Sequence, residues 1–127
     1  MYIEIDFNSD EALYVQLCNQ IILGIATAKF TEGEQLPSVR QLADTIGINM
    51  HTVNKAYSIL QQEGFVKIDR RRGAIIAVDL NKLHALQEAQ DDLAVVIARA
   101  MCKEIGRQDI HGLVDKIFDY YEKGNNS

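Results

Sequence analysis

The 127-residue sequence predicts a mainly α-helical protein with one small β-hairpin. Two observations support this fold class. Apolar residues recur at spacings of three and four along several segments, which is the period of one helix face. Two short runs rich in β-branched residues flank a basic tip, as in a hairpin. The length suits one domain with a short extension, and we expect a boundary between residues 1–78 and residues 79–127.

The N-terminal third predicts a strand followed by a helix. Residues 3–7 alternate apolar and acidic side chains, the period of a half-buried strand packed on the edge of the domain. From about residue 11 to residue 29 an apolar stripe predicts a first helix, packed against the helices that follow. The stripe contains Tyr14, Leu17, Cys18, Ile21, Ile25 and Ala28.

A pair of short helices is predicted over residues 36–64. Ser38 can cap the first helix, and Gln41 three residues later completes a capping box. Gly47 ends that helix, and Asn49 can cap the second one, which a further glycine terminates. The predicted buried stripes contain Val39, Leu42, Ala43 and Ile46 in the first helix, and Val53, Ala56, Tyr57 and Leu60 in the second.

The second helix of the pair places hydrogen-bonding side chains on its solvent side, namely His51, Asn54, Lys55 and Ser58. A polar face on a helix that another helix supports from behind suits the reading of base edges in the DNA major groove. The same pattern also fits an ordinary pair of helices in a small α domain, so the segment that follows decides between them.

That segment predicts a basic hairpin. One β-rich run contains Phe65, Val66 and Ile68, and the tip between the runs, residues 69–73, carries three arginines. The second run contains Ala74, Ile75, Ile76 and Val78. Arginines on a projecting turn can neutralise phosphates or enter a narrow minor groove. A helix-turn-helix followed by a basic hairpin is a winged helix, so the sequence predicts a domain that binds double-stranded DNA.

Four motifs in a fixed order give a more specific resemblance. They are LYVQL at residues 13–17, LPSVRQLA at 36–43, HTVNKAYSILQQEG at 51–64 and RRRG at 70–73. Together they resemble the DNA-binding domain of the GntR family of bacterial transcription regulators, over nearly all of residues 10–78. The short remainder is similar to the YtrA subfamily, whose C-terminal part is a helical dimerisation unit. The resemblance implies a DNA-binding transcription regulator.

The resemblance also implies individual contacts. Arg40 matches the arginine that contacts DNA in the family, and Ser38 beside it can donate to phosphate. Thr52 matches the threonine of the recognition helix, whose hydroxyl can bind a phosphate oxygen near the helix N-terminus. The complete predicted DNA-binding set is Ser38, Arg40, Asn49, Met50, His51, Thr52, Asn54, Lys55, Arg70, Arg71, Arg72 and Gly73.

Three of these positions depart from the common family pattern. Met50 stands where many members have arginine, Asn54 where they often have arginine or lysine, and Arg71 where the wing usually has glycine. Met50 can touch a thymine methyl group and Asn54 can pair with adenine, so we predict a half-site that favours A·T pairs. His51 either meets phosphate or base, or is a solvated spectator.

The distribution of charge fits DNA binding although the whole chain has a net charge of −5. Residues 37–78 contain six basic and three acidic residues, a net charge of +3, whereas residues 1–36 carry −5 and residues 79–127 carry −3. The basic groups therefore gather where the motifs predict contact. A charge of +3 is modest, so we expect two copies to be needed for the roughly 6–10 phosphate contacts that give useful affinity.

Residues 79–127 predict two amphipathic helices separated at Gly106 and followed by a polar tail, residues 124–127. Two such helices have more apolar surface than they can hide from each other, which favours a homodimer. The alternative is that both helices fold back on the winged domain. The predicted dimerisation residues are Leu86, Leu93, Ile97, Met101, Leu113, Ile117, Phe118 and Tyr121.

Other features narrow the environment and the function class. We expect a cytoplasmic protein without a membrane partner, because no apolar run could span a bilayer and the N-terminus lacks signal-peptide character. Cys18 and Cys102 are expected to be buried, reduced thiols. The histidines lack metal-ligand spacing, and no nucleophile with a paired base appears, so neither a metal, a cofactor nor an enzyme activity is predicted.

The leading interpretation is a dimeric transcription repressor that binds an inverted repeat. By resemblance, its targets include its own operon and transporter genes. The alternative is a winged-helix module that mediates protein contacts without specific DNA readout. The sequence names no small-molecule effector, and an enclosed pocket of ~300 Å³ or more would have to open between subunits to hold one.

Overall fold

The computed structural model describes residues 3–125 and divides into two compact units, Met1–Asp79 and Leu80–Ser127. The predicted fold class is confirmed: the described residues are mainly helical, with one antiparallel hairpin in the first unit and two helices in the second. In chain order the elements are α1 (Leu13–Ala26), α2 (Val39–Ile46), α3 (Met50–Gln62), β1 (Val66–Asp69), β2 (Gly73–Ile76), α4 (Lys82–Cys102) and α5 (Arg107–Asn125).

The prediction of a strand over residues 3–7 is wrong, because this segment forms no ladder with another strand. Its backbone groups bond to glutamine side chains of α1 instead. The Glu4 N–H donates to Gln20 Oε1 at 2.7 Å, and the Asp6 N–H donates to Gln16 Oε1 at 2.9 Å. Gln16 also donates to the Asp6 carbonyl at 3.0 Å. The segment is therefore held by side chains, which satisfy its polar backbone without a partner strand.

Helix α1 ends earlier than predicted, at Ala26. Ala28 has a φ of +60° and is exposed, so it does not belong to the apolar stripe. The chain turns here because the Phe30 ring packs over Gly24, where a Cβ would collide with the ring. Phe30 is buried in the core, and its N–H donates to the Gly24 carbonyl at 3.0 Å.

The start of α1 lacks a side-chain cap, because Ala12 occupies the N-cap position with an extended ψ of 143°. We expect Ala12→Ser to raise the free energy of unfolding by about 1 kcal/mol, since a serine hydroxyl can accept from an otherwise unpaired N–H of the first turn. Thermal unfolding followed by circular dichroism measures the effect. Ala12→Val, which supplies no acceptor, is the control, and equal melting temperatures for the two variants would contradict the prediction.

Both caps predicted for the helix pair are confirmed. The Gln41 N–H donates to Ser38 Oγ at 3.1 Å and the Ser38 N–H donates to Gln41 Oε1 at 3.0 Å, so the capping box of α2 is complete. Gly47 ends α2 in the left-handed conformation, with a φ of +73°. At α3, Asn49 Oδ1 accepts the His51 N–H at 2.7 Å.

The predicted apolar stripes of α1, α2 and α3 meet in one core, in which α1 packs mainly against α3. Two polar contacts fix α3 in this core. The Tyr57 hydroxyl donates to the Pro37 carbonyl at 2.7 Å, and burial raises the pKa of Tyr57, so the donor stays protonated. The Cys18 thiol donates to the Ala56 carbonyl at 3.5 Å. The most deeply buried side chains include Leu17, Ile21, Val53, Leu60, Val66 and Ile76.

The β-hairpin is shorter than predicted, because the paired strands begin at Val66 and end at Ile76. The loop between α1 and α2 lies along the outer edge of β2. The Gly33 N–H donates to the Ile76 carbonyl at 2.8 Å, and the Leu36 N–H donates to the Ala74 carbonyl at 2.8 Å. This loop, rather than residues 3–7, supplies the segment that completes the sheet.

The two cysteines differ in accessibility. Cys18 is buried, but Cys102 is exposed at the end of α4, so the expectation of two buried thiols is wrong for Cys102. The apolar stripe of α1 predicts the burial of Cys18, whereas Cys102 lies in a helix that buries almost none of its surface. Both thiols are free.

Burial, with a smaller effect of the Glu63 charge, raises the pKa of Cys18 to about 11. We expect one thiol per native chain, Cys102, to react rapidly with Ellman's reagent at pH 8, because the thiolate is the nucleophile and Cys18 stays neutral there. Cys18 should react only after denaturation, and Cys102→Ser should abolish the rapid phase. Two rapid thiols in the native protein would contradict this prediction.

The second unit consists of two helices, α4 and α5, with little buried surface. Asn81 caps α4 through a bond from the His84 N–H, and the turn before α5 closes with the Ile105 N–H on the Ala100 carbonyl at 2.9 Å. Among the described side chains of this unit, Ala100 is the buried one. Helix α5 continues through Asn125, so the tail predicted from residue 124 is helical at its start, and residues 126–127 lie outside the described residues. Within residues 3–125, no helix has the length and apolar character needed to cross a membrane.

Candidate nucleic-acid interface

Helix α3 presents the polar face that the sequence predicts. Met50, His51, Asn54 and Lys55 are exposed, whereas Thr52 is half-buried in the first turn. The opposite face carries the buried core residues, so the helix cannot rotate without unpacking α1. The exposed side chains provide amide, imidazole and ammonium groups for hydrogen bonds and one thioether for apolar contact. This chemistry matches the edges of bases in a major groove.

The two capping residues keep part of their hydrogen-bonding capacity. Asn49 Oδ1 is occupied by the His51 N–H, which leaves the Asn49 amide nitrogen as a donor. Ser38 Oγ accepts from Gln41, but its own O–H can still donate to an incoming oxygen. Each cap therefore stabilises its helix and keeps one hydrogen-bond donor that the cap does not use.

Arg40 lies in the first turn of α2, between the two residues of the capping box, Ser38 and Gln41. Its side chain is exposed, and among residues 3–125 it makes no hydrogen bond or ion pair. The guanidinium carries five donors and a permanent charge. Arg40 is thus an unengaged cation next to Ser38, on the helix that precedes α3.

The tip of the hairpin is organised by a carboxylate. Asp69 Oδ1 accepts the N–H of Arg71 at 2.7 Å and the N–H of Arg72 at 3.1 Å. These two bonds, followed by the charge of Arg72, hold the pKa of Asp69 below its usual value. Gly73 closes the turn with a φ of +74°, a conformation that suits glycine. The arginines therefore project from an ordered turn.

The three arginines of the tip have different surroundings. The Arg72 guanidinium donates through Nη2 to the Gly33 carbonyl at 2.9 Å, which ties the tip to the loop along β2. The guanidinium groups of Arg70 and Arg71 are exposed and make no hydrogen bond or ion pair within the described part of the chain. Two arginines are therefore available at the tip, and a third is engaged with the fold.

Lys55 also has an intramolecular partner. Its ammonium nitrogen lies 3.9 Å from the centroid of the Tyr14 ring of α1, within the range of a cation–π interaction. Sequence reasoning missed this pair and the Arg72–Gly33 bond, because each joins residues about 40 positions apart in the chain. The Asp69 turn had a local signal, since aspartate before a tight turn often accepts backbone N–H groups.

A helix pair with a polar, exposed second helix, followed by a hairpin that projects arginines, defines a winged helix-turn-helix, a class of DNA-binding domain. The chain belongs to the gntR family of bacterial regulatory proteins, whose family pattern matches residues 13–76. It is therefore a DNA-binding transcriptional regulator of this family.

Three relatives illustrate the similarity. The transcriptional repressor YtrA of Bacillus subtilis is 39% identical over 75 residues, which cover 59% of this chain and 58% of YtrA. A structure described as a transcriptional antiterminator from Listeria monocytogenes is 27% identical, with a TM-score of 0.84, and covers 95% of this chain and 92% of that one. YtrA from Sulfolobus acidocaldarius, a GntR-family transcription factor, is 33% identical, with a TM-score of 0.58, and covers 93% and 97%.

Proposed function

We propose that the protein is a homodimeric transcription repressor that binds an inverted-repeat operator through two copies of α3. The observation that supports a dimer most strongly is the large apolar surface of α4 and α5. Phe118 is 61% exposed and Met101 is 69% exposed, and their neighbours along both stripes are also open to solvent. An apolar surface of this extent on a pair of helices marks a contact with another protein.

The same unit contains an apolar cavity of about 330 Å³ between α4 and α5. The cavity is open, and its walls can receive side chains from a second copy. Because a two-fold interface uses the same patch twice, each copy would both fill and offer this cavity. The lining residues are Ile97, Met101, Ile105, Gly106, Arg107, Ile110 and His111.

Two copies of the first unit would place two recognition helices on one face of a duplex. A two-fold dimer reads a two-fold operator, so the half-sites would form an inverted repeat with a spacing set by the dimer. In each half-site we assign Asn54 to adenine and Met50 to a thymine methyl group, which gives the A·T preference. Arg40, Ser38 and Thr52 are assigned to the flanking phosphates and base edges.

In the wing, we assign Arg70 and Arg71 to the DNA and Arg72 to the fold. The first two guanidinium groups are exposed and unengaged, whereas Arg72 donates to the Gly33 carbonyl. This assignment revises the expectation that all three arginines contact DNA. Arg72 would fix the orientation of the tip, and the other two would neutralise phosphates or enter the minor groove.

Variants of the wing distinguish these roles. We expect Arg70→Ala and Arg71→Ala each to reduce the magnitude of the negative slope of the log association constant against log salt concentration, by about 0.9 for every phosphate that is no longer neutralised. Arg72→Gln, which keeps a donor for Gly33, should leave the slope almost unchanged. Fluorescence anisotropy of a labelled duplex at several salt concentrations measures the slopes. Equal reductions in the magnitude of the slope for all three variants would contradict the division of roles.

Repression follows if the operator overlaps a promoter, since the bound dimer then excludes RNA polymerase. The B. subtilis relative YtrA is a transcriptional repressor by name, which supports repression rather than activation. We propose that the protein's own operon is a target. The test combines an electrophoretic shift on the upstream region of its own gene with transcription in vitro from that promoter. A shifted band with reduced transcript supports the proposal, whereas no shift at low salt would favour a protein-interaction module.

A further inference from the structure

The LYVQL motif of α1 contains a tyrosine that the proposed contacts leave without a role. Tyr14 is the second residue of α1 and is half-buried, so one side of its ring rests on the core and the other side reaches the surface. At the surface the ring meets Lys55, whose ammonium nitrogen lies 3.9 Å from the ring centroid. Lys55 is the one lysine or arginine in the sequence of α3.

The packing of α1 against α3 fixes the position of the ring. Cys18 follows Tyr14 by one helical turn and donates to the Ala56 carbonyl at 3.5 Å. Ala56 is fully buried and directly follows Lys55. Because residues four apart lie on the same side of a helix, Tyr14 and Cys18 together set the register of the two helices. The ring therefore lies beside the first turns of α3 in the free protein.

A lysine side chain normally loses considerable rotamer entropy when it is ordered at an interface. The Tyr14 ring restricts this freedom before DNA arrives, while the ammonium group keeps donors that point away from the ring. The interaction is also electrostatically favourable, since the ring face is negative. Tyr14 can thus lower the cost of a contact that Lys55 makes.

We propose that Tyr14 is a positioning residue for DNA binding, which holds the Lys55 ammonium above its ring in both the free and the DNA-bound protein. The inference rests on the proposed role of α3 as the recognition helix. Tyr14 acts through Lys55, so its effect on DNA affinity requires the lysine.

The first test needs no DNA. Protons next to the Lys55 ammonium should show an upfield ring-current shift in the NMR spectrum of the full-length protein. Tyr14→Phe, which keeps a ring, should retain the shift, and Tyr14→Met should remove it. A Lys55 side chain with ordinary chemical shifts in the parent protein would overturn the inference, whatever the stability of the variants.

The second test is a double-mutant cycle on DNA affinity, measured by anisotropy with a duplex from the upstream region of the protein's own gene. We expect Tyr14→Met to weaken binding about two- to ten-fold per half-site, because the released Lys55 side chain must then be immobilised on binding, and Tyr14→Phe to restore most of the affinity. In the Lys55→Ala background, Tyr14→Met should have no further effect. Phe7→Met, which removes an exposed aromatic ring elsewhere in the unit, is the control.

The outcomes separate this inference from the proposed function. If Lys55→Ala weakens binding but Tyr14→Met does not, the positioning role is overturned and the α3 contact stands. If Tyr14→Met weakens binding equally with and without Lys55, Tyr14 acts independently and the inference is again overturned. If Lys55→Ala leaves the affinity unchanged, both the inference and the proposed contact of α3 at Lys55 fail.

Discussion

Ile117→Asp is expected to convert the protein into a monomer and to weaken operator binding by about a hundred-fold or more. Ile117 lies in the middle of the apolar stripe of α5 and is 51% exposed in the single chain. The charge therefore costs little in the monomer but would be buried, without a partner, in the proposed dimer. A monomer carries one recognition helix instead of two, so it loses the advantage of binding two half-sites at once. Sedimentation and anisotropy on the same samples measure both effects.

The matched control for this variant is Gln108→Asp. It adds the same charge to the opposite face of α5, where the side chain is exposed. We expect it to leave the oligomeric state and the affinity unchanged. If Ile117→Asp remains a dimer with full affinity, the apolar stripe is not the dimer interface and the proposed assembly is wrong.

Arg40→Ala is expected to weaken operator binding roughly 5- to 150-fold per half-site, the range of one strong arginine contact to DNA. The exposed guanidinium of Arg40 has no intramolecular partner in the described structure, so its removal should not destabilise the fold. The weaker binding should therefore arise in the complex. Anisotropy titrations give the affinity, and thermal unfolding confirms that the variant is intact.

Lys29→Ala provides the control for the charge itself. Lys29 is exposed and lies in the acidic N-terminal third, outside the proposed interface. Lys29→Ala removes the same unit of positive charge as Arg40→Ala, so a small decrease in affinity is expected from the reduced long-range attraction alone. Equal decreases for Arg40→Ala and Lys29→Ala would show that Arg40 makes no specific contact.

Local signals made the helix-turn-helix predictable from the sequence. The Ser38–Gln41 capping box, the turn at Gly47 and the Asn49 cap each depend on residues within a few positions, and all three are present in the structure. The buried stripes of α2 and α3 follow from the helical period. The same reasoning predicted the exposed face of α3, because a helix that buries one side must show the other.

The errors occurred where distant residues determine the outcome. The alternating pattern of residues 3–7 predicts a strand, but Gln16 and Gln20 bond its backbone and the loop before α2 occupies the edge of β2. Likewise, the stripe of α1 extends to Ala28 by spacing alone, whereas the packing of Phe30 on Gly24 ends the helix earlier. Neither the hydrogen bonds to residues 3–7 nor the packing of Phe30 can be deduced from the local sequence.

In the candidate site, too, local features were predictable and contacts between distant residues were not. The exposed residues of α2 and α3 were identified from the motifs, but their partners were not. The bond from Arg72 to Gly33 and the ring of Tyr14 beside Lys55 depend on the folded arrangement of α1, the loop and the hairpin. These contacts separate the residues that can reach DNA from those that hold others in place.

Selection of bound sequences from a random DNA pool, at a stated salt concentration, tests the central claim most directly. We predict enrichment of two half-sites in inverted orientation, with a fixed spacing and A·T pairs at the positions assigned to Met50 and Asn54. A pool without enrichment, or one enriched in a single unrepeated half-site, would contradict a dimeric, sequence-specific repressor.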